Sequence, residues 1–250
     1  SLGYGSGNSD YGRAIAVDAS SNVIVTGSFD FTVNFGGGNL TSAGYSDVFL
    51  VKYNYLGVHQ WSQRFGGILP DSGNEVAMDG SGNVLVTGHF QDTVNFGGSN
   101  LASSGSTDAF LAKYNASGVH QWSQRFGGPT ADAGRSVAVD ASGDVIALTG
   151  NFTGAFVPFG SGSLTSQGDS DIFMLRFNAS GADYSRVSLG SPGSDTGESV
   201  AVDGSGNIVL TGYTGGLAWL GGETFAARGG LDLFGGEAVR GEMGFGAGPG

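Results

Sequence analysis

The chain has no cysteine, only five prolines and only three histidines. The lack of cysteine excludes a disulfide scaffold and thiolate metal sites, although it does not fix the cellular compartment. Basic residues are also scarce, with 10 Lys and Arg against 22 Asp and Glu and a net charge of −12. Nucleic acid and anionic membrane surfaces require a positive protein surface, so the composition disfavours both partners. It favours cations or a cationic partner.

Long apolar runs are missing too, since no stretch approaches the roughly 18 residues of a membrane span. The chain also starts at Ser1 with neither an initiator Met nor a signal peptide. We therefore expect no membrane insertion, and we expect the chain to be a mature or trimmed piece of something longer.

Glycine is abundant, with 49 residues in a chain of 250. Collagen would need glycine at every third position, and that period is absent. Short runs of Val, Ile, Leu and Phe supply apolar surface for a core, which argues against disorder. We interpret the glycines as turn residues in one large all-β domain or two ordinary domains.

The sequence "GVHQWSQRFGG" is written twice, at residues 57–67 and 118–128, an offset of 61. Four further segments match one another: "RAIAVDASSNVIVTGSF" (13–29), "NEVAMDGSGNVLVTGHF" (74–90), "RSVAVDASGDVIALTGNF" (135–152) and "ESVAVDGSGNIVLTGYT" (198–214). The first two steps are again 61 residues, and the third is 63. In the same way "DVFLVKYN" (47–54) matches "DAFLAKYN" (108–115) and "DIFMLRFN" (171–178), and a fourth copy begins at "DLF" (232–234) and then fails. The chain therefore contains four units of a long repeat.

Each unit has four strand-like runs joined by hairpin turns of Asp, Gly and Asn, and the doubled stretch is the fourth, outer run. Apolar residues on both faces of these runs indicate sheets that are covered on both sides. We predict an all-β fold, a β-propeller of four visible blades of about 61 residues, each a four-stranded antiparallel sheet, with the last blade incomplete. A β-solenoid is the alternative. The predicted units are approximately 1–61, 62–122, 123–185 and 186–234, followed by a Gly-rich tail at 235–250 that breaks the repeat.

The two ends of the chain do not match each other. "LGYG" (2–5) stands where "QRFG" (63–66) stands in the next unit, so the chain opens near the end of an outer strand. Three interpretations remain open: a closed four-bladed ring, a fragment of a longer propeller, or two copies that complete one another in an eight-bladed ring. We expect a fragment or a self-associating chain rather than a closed monomer, because an unpaired sheet edge is a site for adding a strand.

The segments "VAMDGSGNVLVTG" (76–88), "VAVDASGDVIALTG" (137–150) and "VAVDGSGNIVLTG" (200–212) resemble the bacterial β-propeller repeat called the seven-bladed or SBBP-type repeat. The resemblance extends nearly to residue 234. It implies a large secreted or surface-attached bacterial protein with a binding or structural role and no defined chemistry. The chain departs from the pattern in showing four units rather than seven, and in a long loop between the second and third strands.

Three series of aspartates recur in register. The first, which would ring the channel mouth of a propeller and could hold Ca²⁺, is Asp10, Asp71, Asp132 and Asp195. The alternative is that these carboxylates accept hydrogen bonds from turn amides or from a neighbouring blade. We interpret the other two series as turn residues: Asp18, Asp79, Asp140 and Asp203, and Asp47, Asp108, Asp171 and Asp232.

Aromatic residues form a second candidate site. Rings that could stack on a sugar lie in the loop after the second strand, at Phe35, Phe96, Phe159 and Trp219. The alternative is that large rings fill the wedge between blades, because aromatic side chains dominate such cores. Trp219 is one residue out of register, so we expect it to be the exposed member.

No catalytic constellation is recognisable. The chain lacks GxSxG, GxGxxG, P-loop and zinc-binding strings, and we interpret its three histidines as edge residues. We predict a non-catalytic, extracellular or cell-surface propeller that serves as a structural or adhesive protein-interaction module. Its partner would be a protein or a glycan, with self-association through the incomplete last blade as a further expectation and calcium as the one cofactor considered. A lectin-like propeller is the alternative, and a hydrolase on the same scaffold comes third.

Overall fold

We describe the fold from a computed structural model. The structure describes residues 3–154, 157–159, 162–220, 223–226 and 232–238, and its side chains are described for 3–154, 163–182 and 185–216. Every regular element within these ranges is a β-strand, and no helix in them has the length and apolar character that crossing a membrane requires.

The strands repeat with the period of the sequence. The first unit contains β1 (Tyr11–Val17), β2 (Val23–Phe29), β3 (Thr32–Asn34), β4 (Asn39–Thr41), β5 (Asp47–Tyr53) and β6 (His59–Phe65). The second contains β7 (Ser72–Met78), β8 (Val84–Phe90), β9 (Thr93–Asn95), β10 (Asn100–Ala102), β11 (Asp108–Tyr114) and β12 (His120–Phe126). The third contains β13 (Ala133–Val139), β14 (Ile146–Phe152), β15 (Val157–Phe159), β16 (Gly162–Leu164), β17 (Asp171–Phe177) and β18 (Asp183–Leu189). The fourth contains β19 (Thr196–Val202), β20 (Ile208–Thr214), β21 (Leu217–Leu220), β22 (Glu223–Ala226) and β23 (Asp232–Ala238).

These strands form one antiparallel sheet per unit. Sheet 1 has the order β1-β2-β5-β6, sheet 2 β7-β8-β11-β12, sheet 3 β13-β14-β17-β18 and sheet 4 β19-β20-β23. The predicted all-β class and the four-stranded antiparallel units are confirmed. Sheet 4 has three strands in the described residues, and its third strand runs to Ala238, into the segment predicted to be the Gly-rich tail. The rest of that tail lies outside the described residues.

The long loop after each second strand contains a short two-stranded ribbon, which was not predicted from the sequence. β3 pairs with β4, β9 with β10, β15 with β16 and β21 with β22. The third ribbon also pairs with the outer strand of sheet 2, through Phe126 and Phe159. This loop therefore reaches across from its own sheet to the sheet before it.

Local hydrogen bonds explain why the sequence turns where it does. The Asp79 carboxylate accepts hydrogen bonds from the backbone N–H groups of Ser81 and Asn83, each at 2.9 Å. Gly82 occupies the left-handed region at φ 75°, which favours glycine. Asp18 and Asp203 make the same carboxylate contacts in their own units. The interpretation of this series as turn residues is confirmed at these positions.

The doubled sequence "HQWSQRF" joins each sheet to the next one. Trp61 Nε1 donates to the carbonyl oxygen of Ala116 at 3.1 Å, and Trp122 Nε1 donates to that of Ala179 at the same distance. Phe65 packs between the sheets in one apolar cluster with Val76 and Val84. The two copies of this sequence therefore make the same contact, a hydrogen bond from the Trp indole to the following sheet.

Candidate functional site

The four inner strands border one cleft, which we call the axial cleft. Strands β1, β7, β13 and β19 adjoin in that order. Their repeat-equivalent residues Arg13, Asn74, Arg135 and Glu198 line a cavity of about 370 Å³. An adjoining cavity of about 290 Å³ shares the first three of these residues and adds His89. Residues 61 to 63 positions apart in sequence are thereby brought to a single site.

The polar groups of the axial cleft are held by defined contacts. Asn74 Nδ2 donates to the carbonyl oxygen of Gly134 at 2.8 Å, and Arg135 Nε donates to Asn151 Oδ1 at 3.2 Å. Burial, together with the positive charges of Arg13 and Arg135, lowers the pKa of His89 to about 4. His89 is therefore neutral at pH 7, and it lies beside the axis rather than at a sheet edge. Our interpretation of His89 as an edge residue was wrong.

The axial residues were not among the predicted site residues, although the sequence contains a signal for them. The aligned segments begin with Arg, Asn, Arg and Glu, while the apolar residues and the turn that follow are nearly the same in all four units. Residues with a structural role common to all repeats stay the same, so a polar position that differs between otherwise matching repeats does not have such a role. It is therefore the position at which a specific site can be built.

A second candidate site is the uncovered face of sheet 1, which we call the open face. It forms a cleft of about 650 Å³ lined by Val23, Val25, Phe49 and Val51 among others. In sheet 2 the corresponding face is covered by sheet 1. The contrast is clear at one inner-strand position, where Ile15 is 64 % exposed and its repeat equivalent Val76 is 3 % exposed.

The N-terminal segment occupies part of the open face. Tyr4 stands at the repeat position of Phe65 and stacks on Tyr53, with 5.9 Å between ring centroids. In the same way Phe65 stacks on Tyr114, at 5.3 Å. The Tyr4 ring thus takes the place of the Phe65 ring, whereas residues 3–10 form no strand. Beyond this ring, Val17, Tyr55 and Leu56 remain more than 60 % exposed.

The proposed calcium residues are each engaged in their own sheet. Asp71 accepts hydrogen bonds from the backbone N–H groups of Gly67 at 2.8 Å and Gln91 at 2.9 Å. Asp132 and Asp195 make the equivalent pairs of bonds, and Asp10 accepts from two backbone N–H groups as well. The turn-amide alternative is confirmed. Among the described residues no three His, Asp or Glu side chains form a group that could hold a metal ion, and calcium stays an untested prediction.

Burial has a measurable consequence for this series. Desolvation raises the pKa of Asp71 to about 7 and that of Asp132 to about 6, against the backbone hydrogen bonds that lower it. A carboxyl group with a raised folded-state pKa binds a proton in the folded chain that the unfolded chain has already released. Stability is then highest at acidic pH and falls as the pH rises through the folded-state pKa.

His89 acts in the opposite direction, because its lowered pKa makes stability rise with pH up to its ordinary value of 6.5. The raised pKa values of Asp71 and Asp132 together outweigh it, so we expect the free energy of unfolding to be greater at pH 5 than at pH 8 by about 1 kcal/mol or more. Urea denaturation across this interval measures it. Asp71→Asn should flatten the dependence, whereas Asp203→Asn, which alters an exposed turn carboxylate with a lowered pKa, should leave it unchanged. A stability that rises with pH would contradict the assignment.

The candidate sugar-binding rings lie partly in the core. Phe96 is fully buried and stacks on Phe110 with 4.3 Å between centroids. Phe35 is 5 % exposed and stacks on Phe49 at 4.6 Å. Both rings pack against their own sheets and neither offers a free face to a sugar. The side chains of Phe159 and Trp219 lie outside the described residues, so glycan binding stays a prediction.

One serine–histidine contact occurs on the outer strand of sheet 2, where His120 Nε2 lies 3.1 Å from Ser123 Oγ. A nucleophile–base pair also needs a group that orients the base, and no carboxylate bonds this imidazole among the described residues. The contact is a hydrogen bond of the strand.

Comparison with known proteins bears on the architecture. Residues 60–89, which span the outer strand of sheet 1 and the first two strands of sheet 2, match the model of a family described as a beta-propeller repeat. The four sheets are β-propeller blades. The axial cleft thus lies where the inner strands of four blades converge, and the open face is a blade face on which no other blade packs within the described residues.

Two relatives extend the likeness beyond one repeat. An uncharacterized WD repeat-containing protein, L264, of Acanthamoeba polyphaga mimivirus is 24 % identical over 208 residues, which are 68 % of this chain and 15 % of that protein. The regulatory protein FlaEY of Caulobacter vibrioides is 29 % identical over 174 residues, 66 % of this chain and 18 % of that protein. The chain therefore matches less than a fifth of the length of either relative.

Proposed function

We propose that the chain is a non-catalytic protein-interaction module and that its open face binds a blade of a second copy of the chain. The observation that carries this is the exposure of Ile15 and Val17 on this face, whereas Val76, the repeat equivalent of Ile15, is buried under blade 1. Exposed apolar patches of this kind mark interaction surfaces. The repeat match and the WD-repeat name of one relative agree with an interaction role.

Blade 4, at the opposite end of the series of four blades, supplies a surface that is complementary to the open face of blade 1. Val209 of blade 4 is 46 % exposed, whereas its repeat equivalents Ile24 and Leu85 are fully buried under the following blade. The face of blade 4 thus carries the residue type that blades 1 and 2 insert into their neighbours. Head-to-tail contact between the two ends would repeat the packing seen inside the chain, and two copies would close a ring.

Light scattering of the purified chain tests this proposal. We expect twice the mass of one chain, and we expect a monomer from Ile15→Asp combined with Val17→Asp. Val209→Asp should also give a monomer, because a head-to-tail dimer uses both ends. Val119→Asp makes the same change at a residue 58 % exposed in a turn of blade 2 and should remain dimeric.

A monomeric parent chain would overturn the proposal. A dimer that survives Val209→Asp but not the changes at Ile15 and Val17 would also overturn the head-to-tail arrangement, because two open faces would then be in contact. Circular dichroism of each variant separates loss of association from loss of folding.

We further propose that the module works outside the cell or at its surface, as a structural or adhesive protein. The support is the resemblance of the repeats to those of secreted and surface-attached proteins. Labelling of intact and permeabilised cells with an antibody to the chain tests it, and signal only after permeabilisation would refute it.

A further inference from the structure

The charge distribution at the axial cleft is unusual for this acidic chain. Several basic side chains are ion-paired with aspartates, among them Lys52 with Asp18, Arg64 with Asp47, Lys113 with Asp79 and Arg125 with Asp108. Arg13 and Arg135 both line the axial cleft, and neither has a carboxylate within 4.0 Å among the described residues. The cleft therefore brings two guanidinium groups together without an ion pair to either of them.

Both guanidinium groups are positioned but retain free donors. Arg135 uses Nε in its bond to Asn151, and Arg13 lies over the ring of Tyr11 at 5.7 Å from its centroid. Both residues are exposed and lie on inner strands that, with β7 between them, border the same cleft. A guanidinium group carries five N–H donors in a planar fork that matches a carboxylate in two-point hydrogen bonding. The remaining donors in this cleft are available to a ligand.

The other residues of the cleft restrict what that ligand can be. Glu198 contributes an acceptor and a negative charge on the same wall. The larger cavity accordingly carries the positive charges of Arg13 and Arg135 and the negative charge of Glu198. The adjoining cavity adds the neutral His89 and the Asp132 carboxylate, which accepts hydrogen bonds from two backbone N–H groups of its own blade. The Glu198 carboxylate would repel a dianion such as phosphate. A ligand with one carboxylate beside an N–H group would instead pair with the arginines through the carboxylate and with Glu198 through the N–H.

We propose that the axial cleft binds a carboxylate of an acidic peptide segment through Arg13 and Arg135, with Glu198 accepting an N–H of the peptide. Side chains and main chain of a peptide supply both groups at short separation. A cavity of about 370 Å³ is within the range of ligand-binding pockets. The site uses the inner strands and goes beyond the association proposed for the open face.

Calorimetry with a hexaglutamate peptide at low ionic strength tests the site, with hexaglutamine and inorganic phosphate as comparison ligands. We expect hexaglutamate to bind and hexaglutamine not to bind. Arg13→Gln and Arg135→Gln should each weaken binding about tenfold or more, because each removes charge-assisted hydrogen bonds. Both residues are exposed, so their variants should keep the parent melting temperature.

A change of opposite sign supplies the matched control. Glu198→Gln should weaken hexaglutamate binding, because it removes the charged acceptor of the peptide N–H, whereas Asp169→Asn, which changes net charge equally at an exposed loop residue, should not. Equal strengthening by both variants would show an effect of net charge alone and would overturn the site. Binding unaffected by either arginine variant, or phosphate binding as tight as that of hexaglutamate, would overturn it as well.

Discussion

Replacing Phe96 by alanine is expected to lower the free energy of unfolding by about 3–5 kcal/mol. The Phe96 ring is fully buried, is stacked on Phe110 and meets the edge of Phe90 at 5.8 Å. Its other side faces Phe65 of the preceding blade, at 5.6 Å. Alanine would leave a cavity at the centre of the contact between blades 1 and 2, where surrounding rings are fixed on three sides.

The repeat supplies the matched control for this prediction. Phe35 occupies the same position in blade 1, where no preceding blade covers it among the described residues and Tyr4 takes the place of Phe65. Phe35→Ala should therefore cost less than Phe96→Ala in urea denaturation of the two variants. If Phe96→Ala left stability unchanged, the ring would not be a core residue and its assignment to ligand binding would regain support.

Much of the fold could be predicted because the repeat is encoded locally. Aspartate and glycine in segments such as Asp79–Asn83 form a hydrogen-bonded turn from neighbouring residues alone, so each hairpin is recognisable in sequence. Repetition at 61 residues then identifies equivalent strands. The ribbons between second and third strands escaped prediction, because three-residue strands such as Thr93–Asn95 are too short to show an alternating pattern.

The candidate site was harder to predict because its members come from different repeats. Arg13 and Arg135 can be recognised as members of one site only when the inner strands are placed around one axis. Alignment of repeats draws attention to shared residues, such as Asp71 and Asp132, and these prove to cap turns in their own blades. Residues that all repeats share have structural roles in each blade, whereas the polar residues that differ between repeats line the candidate site.

The second large effect on stability is expected from replacing the glycine of the repeated Thr-Gly pair. Gly88→Ala is expected to destabilise the chain by about 3 kcal/mol or more, because a Cβ there would lie 1.9 Å from the carbonyl oxygen of Ser72. The inner strand bulges between Gly73 and Glu75 where it crosses this position. The clash is with backbone, so rotation of a side chain cannot relieve it.

The same close approach recurs in the other blades, since a Cβ at Gly27, Gly150 or Gly212 would lie 1.8 to 2.1 Å from a backbone carbonyl oxygen at the start of the inner strand. Gly204→Ala is the matched control, because a Cβ there has nothing within 4 Å and the equivalent residue of blade 3 is Ala141. Urea denaturation should show near-parent stability for Gly204→Ala and a large loss for Gly88→Ala. Equal stability of the two variants would mean that the bulge in β7 can move away from β8. The inner strands would then be too loosely held to position Arg13 and Arg135 at one cleft.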